Sequence, residues 1–469
     1  MSPRIAPAAN VAFETRCDVL VIGAGACGLV AALRAADAGA DVIVVERDHS
    51  PTGSTSMSSG FIPAAATRFQ AALGIVDSAE RFSADIQRKA GNEADPAIVA
   101  AVTREIGPTL EWLADSHGLD WLVLDDFLYP GHSVHRMHAV PEKTGAGLMA
   151  RLLAAAEAAA IPIVTDAHVT TLFAEPDGTV AGLEIVRPDG GAERIGCGAL
   201  VLACNGYGGN RDLVRQYIPV MADAPYYGHP GNKGDAVLWG EALGAATRHL
   251  GACQGHGSLA HPHGVLITWA LMMEGGIQVN VDGARFSNEH QGYSEQATRV
   301  LEQPGGIAWD VYDGRLHELG LAFPDYRDAD SAGAILSADT VAGLAALMKV
   351  PAEALENTLA DVERFRRGAQ PDPFGRDFSR QPGLKPPYHA VRVTGALFHT
   401  QGGLVVDGSA RVRKNDGTPI ANLFAGGGAA CGVSGSRIEG YLSGNGLLTA
   451  VALGSIAGRA AADRVRGAS

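Results

Sequence analysis

Cysteine is scarce in this sequence and poorly placed for chemistry. The six among 469 residues (Cys17, Cys27, Cys197, Cys204, Cys253 and Cys431) form no Cys-x-x-Cys pair and no metal-ligand spacing. That argues against an iron–sulfur cluster, a c-type haem and a zinc ribbon. A surplus of basic residues is also missing. Lys plus Arg number 37 against 51 Asp plus Glu, a formal net charge of -14, so the electrostatic footprint of nucleic-acid binding is absent. No apolar run is long enough to span a bilayer, and the polar, broken sequence before Val11 lacks the apolar core of a secretory signal. Cytoplasmic residence is therefore expected. His261 and His263 flank one proline with no third ligand in view, so no metal is expected.

Glycine, by contrast, is abundant: 60 residues without a collagen period, which points to tight turns and to backbone brought close to a ligand. Hydrophobic residues make up 46% and charged residues 19%, the balance of an ordinary folded enzyme. The length allows two or three domains with a large core.

The first 46 residues carry the clearest local pattern. Cys17–Ile22 reads as a buried parallel strand, Gly23-Ala24-Gly25-Ala26-Cys27-Gly28 as a tight turn, Leu29–Ala38 as a helix, and Asp41–Glu46 as a second strand ending in an acid. Gly23 would make the turn, Gly25 would let the backbone approach a pyrophosphate, and Gly28 would let the helix pack close to the sheet. The positive end of the helix favours the phosphates. Glu46 can accept hydrogen bonds from ribose hydroxyls and repels a 2'-phosphate, which disfavours NADP. The pattern alone does not separate FAD from NAD.

Segments further along resemble the fumarate reductase and succinate dehydrogenase flavoprotein family. Gly53-Ser54-Thr55-Ser56-Met57-Ser58-Ser59-Gly60 resembles the segment that wraps the flavin there. Ala203–Asn210 resembles its ATGGxxxN segment, and Gly231–Ala236 its GTGDG turn. Gly275–Asn280 with Gly283–Glu289 follows GGxxxN…GxRFxxE, and Asp416–Gly428 is similar to its DGxPI…AAGE element. The resemblance spans residues 17 to 463. It implies an α/β fold, a Rossmann-like FAD-binding domain interrupted by a smaller α+β capping domain, with FAD-binding parts at 1–240 and 386–469 and the cap at 241–385. The Gly-Pro-rich stretch from Gly368 to Pro387 suits a linker returning to the core. The substrate would lie between cap and flavin.

Carried over residue by residue, the resemblance makes the cofactor set Gly23, Gly25, Ala26, Cys27, Gly28, Glu46, Arg47, Ser54, Thr55, Ser58, Ser59, Gly60, His168, Val169, Ala203, Cys204, Asn205, Asn210, Asp235, His399, Gly427, Gly428, Gly444, Asn445, Gly446, Leu447 and Leu448. Residues 53–60 contain no histidine, so FAD is expected to bind without a covalent link. Gly428 replaces the family's acid. Independently of family, Gly444-Asn445-Gly446 opens an apolar helical run from Leu447 to about Arg459, and free N–H groups at its start favour negative charge; aimed at the N1/C2 edge of a flavin ring they would assist a hydride acceptor.

For catalysis, His256, His399 in Phe398-His399-Thr400-Gln401-Gly402-Gly403 and Arg437 correspond to two histidines and an arginine that hold a dicarboxylate in fumarate reductases. The family's proton-delivering arginine is replaced by Tyr293, which cannot clamp a carboxylate as a guanidinium does but can exchange a proton. Tyr441-Leu442-Ser443-Gly444 resembles the Tyr-x-Ser-Gly element of Δ4-type 3-ketosteroid dehydrogenases, in which a tyrosine with a serine removes a proton alpha to a ketone. Gln303–Trp309 resembles a QPG element of tricarballylate dehydrogenases. The aromatic and histidine-rich stretch from Phe127 to His138 is a further candidate.

The leading expectation is FAD-dependent desaturation of a C–C bond alpha,beta to a carbonyl, in a cyclic ketone that can carry a carboxylate. Tyr441 would be the alpha-proton base with Ser443 assisting, Tyr293 its partner, and His399, Arg437 and His256 the substrate orienters. The alternative is a polycarboxylate dehydrogenase or enoate (fumarate-type) reductase. A different class again is a non-catalytic FAD-containing electron-relay or structural subunit. Expected partners are a small-molecule carbonyl substrate and an external electron acceptor: oxygen, a quinone or a redox protein.

Overall fold

The computed structural model describes residues 3–467. The chain divides into two compact units: Met1–Pro219 with Gly228–Cys253 and His399–Ser469, and Val220–Tyr227 with Gln254–Phe398.

The first unit is built on a nine-stranded mixed sheet. Apolar strands Thr15–Ile22, Val42–Val45 and Ile163–Val164 run parallel in that order. Thr15–Ile22 also pairs in parallel with Ala192–Leu202, whose last three residues pair in parallel with Pro419–Ala425. Continuous runs such as Val19-Leu20-Val21 are buried on both faces, as a parallel sheet covered by helices requires. The register is what positions the site. Ile22 pairs with Val45 and with Leu202, and Leu202 with Ala425. The segments that follow these strands, beginning at Gly23, Glu46, Ala203 and Gly426, therefore leave one carboxyl edge of the sheet, where open α/β sheets take their ligands.

Helix Ala26–Asp37 packs on this sheet through Leu29, Val30, Leu33 and their small neighbours. It starts three residues earlier than the apolar pattern suggests, because Gly25 serves as its N-cap and Ala26, Cys27 and Gly28 already turn. The final helix, Asn445–Arg466, shares that core through Leu448, Val451, Leu453 and Ala457. It runs past Arg459 because its alanine-rich end keeps a helical face and Arg464 and Arg466 suit the last turn.

The second unit carries a six-stranded sheet in the order Val265–Leu266, Cys253–Ala260, Tyr388–Thr400, Ile307–Asp313, Ile277–Val279, with Ile335–Ala338 also on Tyr388–Thr400. Two apolar clusters hold it. One gathers Leu271, Tyr312, Tyr326 and Val393, the other Ile277, Val311, Leu344 and Leu355. A buried ionic knot lies in the same unit. Glu289 pairs with Arg285 at 2.8 Å and with Arg376 at 3.0 Å, and Arg285 with Asp372 at 2.7 Å. Burial alone would raise the Glu289 carboxyl, but the guanidiniums of Arg376 and Arg285 hold it at about 2. Among the described residues no helix is long and apolar enough to cross a membrane.

Candidate active site

At the nucleotide end, Gly23 adopts φ +105°, and a β-carbon on Gly28 would collide with the Gly23 carbonyl. Both positions therefore require glycine. Side chains fix the loop from two sides. Glu46 Oε2 accepts from Ala24 N at 2.8 Å and Oε1 from Asp48 N at 3.0 Å, while Thr55 Oγ1 accepts from Ala26 N at 3.1 Å. Arg47 donates to the Gly231 carbonyl at 2.6 Å, tying the acid's neighbour to the Gly231–Ala236 turn.

Ser54 Oγ accepts from Asn205 Nδ2 at 3.1 Å and from Asn232 Nδ2 at 2.9 Å. Asn232, in the Gly231–Ala236 segment, takes a place in this network that the turn motif does not signal. Ser58 Oγ donates to the Thr55 carbonyl and accepts from Gly60 N, so it shapes its own turn; Ser59 is exposed. His168 is half-buried, its pKa lowered mainly by burial, with Asp235 as the opposing nearby charge. Burial raises the Asp235 carboxyl and pushes the Cys204 thiol up to about 12, which makes that thiol inert at neutral pH. Val169 is a core residue. Asn210 caps helix Arg211–Tyr217 through Oδ1 and donates to the Lys233 carbonyl, a structural task. Ala203, Gly427 and Gly428 lie in the segments that leave the sheet edge, and Leu448 is buried beneath them while Leu447 is half-buried.

The first unit also holds most of the catalytic candidates. His399 and Tyr441 meet edge-on, ring centres 5.5 Å apart and planes at 75°. Burial pushes His399 down to about 4, so it is neutral at physiological pH. Gly446, in the first turn of the last helix, lies against both rings: a β-carbon there would sit 2.8 Å from His399 Nε2 and 3.7 Å from Tyr441 Oη. Asn445 Nδ2 donates to Ser434 Oγ at 3.0 Å, and Asn445 Oδ1 is buried with no hydrogen-bond partner among the described residues. A polar atom left open at a helix start fits a ligand with polar ring edges, which is what FAD would present. Ser443 is buried; its carbonyl accepts from His132 Nε2 at 2.9 Å. The helix cap is Gly444 at φ +85°, without a side-chain cap.

Arg437 stands apart from this group. Its side chain is 67% exposed, and its nearest acid is Glu93, at 4.0 Å. In the Phe127–His138 stretch, His132 and His138 are buried. His138 donates to the Arg136 carbonyl and bonds Thr67 Oγ1 at 2.8 Å, while Arg136 is locked between Asp77 and Asp85. These residues support the loop under Ser443.

In the second unit His256 is stacked between Tyr293, at 4.9 Å and 20°, and Phe398, at 5.3 Å and 21°, with Trp269 edge-on at 5.8 Å. Burial lowers His256 to about 3. Its Nδ1 accepts from Ser258 N at 3.2 Å, which leaves the proton on Nε2. Tyr293 opens helix Tyr293–Leu301 directly after Gly292, and the next residue, Ser294, accepts from Gly255 N at 3.0 Å. Arg285 and Glu289, conspicuous in the sequence, belong to the buried knot. Among the described residues no group of three or more His, Cys, Asp or Glu is placed to hold a metal.

The family model described as FAD binding domain matches residues 18–447. A probable fumarate reductase of Shewanella frigidimarina is 30% identical over 95% of this chain and 74% of its own length. Among solved structures, the open conformation of a flavocytochrome c3 fumarate reductase is similar with a TM-score of 0.81 and 29% identity, covering 97% of this chain and 79% of that one. The 3-ketosteroid-Δ4-(5α)-dehydrogenase of Rhodococcus jostii RHA1 is similar with a TM-score of 0.79 and 26% identity, covering 98% and 100%. The cofactor is non-covalently bound FAD. The chain belongs to the FAD-binding family of fumarate reductase and succinate dehydrogenase flavoproteins, and it is an FAD-dependent oxidoreductase acting on CH–CH groups.

Proposed function

We propose that the chain is an enoate-type oxidoreductase, acting on a carbon–carbon bond conjugated with a carboxylate, in which tyrosine replaces arginine as the proton-handling group. Bound FAD supplies the site that gives or takes hydride. The observation that carries the reading is the His256–Tyr293 stack. By sequence, these two residues take the places of a substrate-holding histidine and the proton-delivering arginine of fumarate reductases. A neutral imidazole can donate a hydrogen bond to a substrate oxygen, and a phenol holds a proton at neutral pH and can release it. Identity of 30% to a probable fumarate reductase supports this reading over the cyclic-ketone expectation. His399 orients the substrate and Tyr441 holds a proton beside it; Arg437, exposed and apart from them, is given no part in this reading.

A second reading, desaturation of a cyclic ketone, is favoured by one specific observation. Of the groups packed at Gly446, His399 is uncharged, while Arg437 extends to solvent. Neutral donors suit a ketone oxygen. The pattern Tyr441-Leu442-Ser443 and the likeness to the ketosteroid dehydrogenase over its whole length point the same way.

Dye-linked reduction of an enoate panel and a cyclic enone panel by the FAD-loaded protein separates the two. Turnover of unsaturated carboxylates is expected. Turnover confined to uncharged cyclic enones would replace this reading with the second.

A further inference from the structure

A hydrogen-bonded chain of three residues, Gln401, Ser434 and Asn445, ends on His399. Gln401 Nε2 lies 2.9 Å from His399 Nδ1. The other end of that amide, Oε1, accepts from Ser434 Oγ at 2.7 Å. Ser434 Oγ in turn accepts from Asn445 Nδ2 at 3.0 Å. Ser434 and Asn445 are fully enclosed and Gln401 nearly so, so water cannot exchange for any member of the chain.

The direction follows from the donor inventory. Ser434 has one proton; with Asn445 donating to it, that proton goes to Gln401 Oε1, and the Gln401 amide then presents N–H to His399. The atom left over is Asn445 Oδ1. The Thr400 carbonyl also approaches Nδ1, but at 3.4 Å, too far to compete with the amide.

We propose that Gln401, Ser434 and Asn445 are positioning residues that hold His399 as the tautomer with bare Nδ1 and protonated Nε2. His399 is then a hydrogen-bond donor at the point beside Gly446 and Tyr441 Oη, and it cannot serve as the base; acid–base work falls to tyrosine. The proposal rests on the proposed function only for which substrate oxygen meets the Nε2 proton.

The test is long-range ¹⁵N NMR of the FAD-loaded protein labelled in histidine, with His399 assigned by comparison with His399→Gln. The wild type is expected to show the His399 proton on Nε2; a proton on Nδ1 overturns the proposal. In Gln401→Glu a carboxylate faces Nδ1, and the proton is expected to move there. A proton that stays on Nε2 in that variant means the chain does not set the tautomer. If Gln401→Glu does not retain FAD, Ser434→Ala serves instead, with loss of a single tautomer expected and its recovery in Ser434→Thr; an unchanged single Nε2–H tautomer in Ser434→Ala overturns the proposal. None of these readings needs a substrate, so a protein inert toward every enoate and enone would refute the functional reading and leave this result standing.

Discussion

His399 Nε2 and Tyr441 Oη both lie within 3.7 Å of one point, the place where a β-carbon on residue 446 would stand. The absence of that carbon lets a neutral imidazole and a phenol share the start of a helix. The first prediction concerns the phenol. Tyr441→Phe keeps the ring and its packing but removes the oxygen. Turnover is expected to fall ~10²–10⁴-fold, the usual worth of a positioned acid or base, with FAD content unchanged. A fall of less than threefold would remove Tyr441 from the acid–base role.

Gly446→Ala tests the shared point itself. Its φ is not in the left-handed region, so alanine is compatible with the backbone and gains about 1 kcal/mol of helix propensity. The added carbon would press on the His399 ring, an overpacking cost of about 1–3 kcal/mol. Thermal unfolding should therefore move little while turnover drops ten- to a hundredfold. Wild-type turnover would show that the imidazole can yield without loss.

Glu46→Ala removes the acceptor that holds both Ala24 N and Asp48 N. Weakening of FAD affinity by at least about tenfold is expected, equivalent to ~1.4 kcal/mol, read from flavin fluorescence released on dilution. Unchanged affinity would mean that the loop holds its shape without the acid.

The buried knot around Glu289 sets an acid limit. Its carboxyl is depressed from its ordinary 4.5 to about 2, so its contribution to stability is full above pH 4.5 and lost as pH falls toward 2. Glu289→Gln leaves Arg285 and Arg376 without that charge, and a loss of about 3–5 kcal/mol at neutral pH is expected. Because the variant has nothing to protonate at this position, its stability should vary less between pH 4.5 and 2 than that of the wild type. An equally steep acid limb in the variant would place the titration elsewhere.

Much of this was legible in the sequence. Strand, glycine turn, helix and acid at residues 17 to 46 are local, and each glycine there has one geometric task. The strands around Ile22 and Val45 could be read locally, but only pairing shows that they share an edge with those ending at Leu202 and Ala425. The hydrogen-bonded chain behind His399 was not legible: Gln401 lies in the His399 motif and Asn445 at the helix start, but nothing in the sequence joins them through Ser434. Arg437 looked like a substrate cation from its position in Gly435-Ser436-Arg437; its turn toward Glu93 and solvent depends on a contact 344 positions away in the chain. Arg285 and Glu289 drew attention through their motif, and burial gives them a structural task that no spacing rule distinguishes from a functional one.

The central claim is tested most directly by reducing the FAD-loaded protein anaerobically, mixing it with an unsaturated carboxylate, and following the return of oxidised flavin absorbance by stopped flow. The account predicts rapid single-turnover reoxidation, slowed at least a hundredfold in Tyr441→Phe and in Tyr293→Phe. Reoxidation that no conjugated carboxylate or enone accelerates over the buffer control would contradict it.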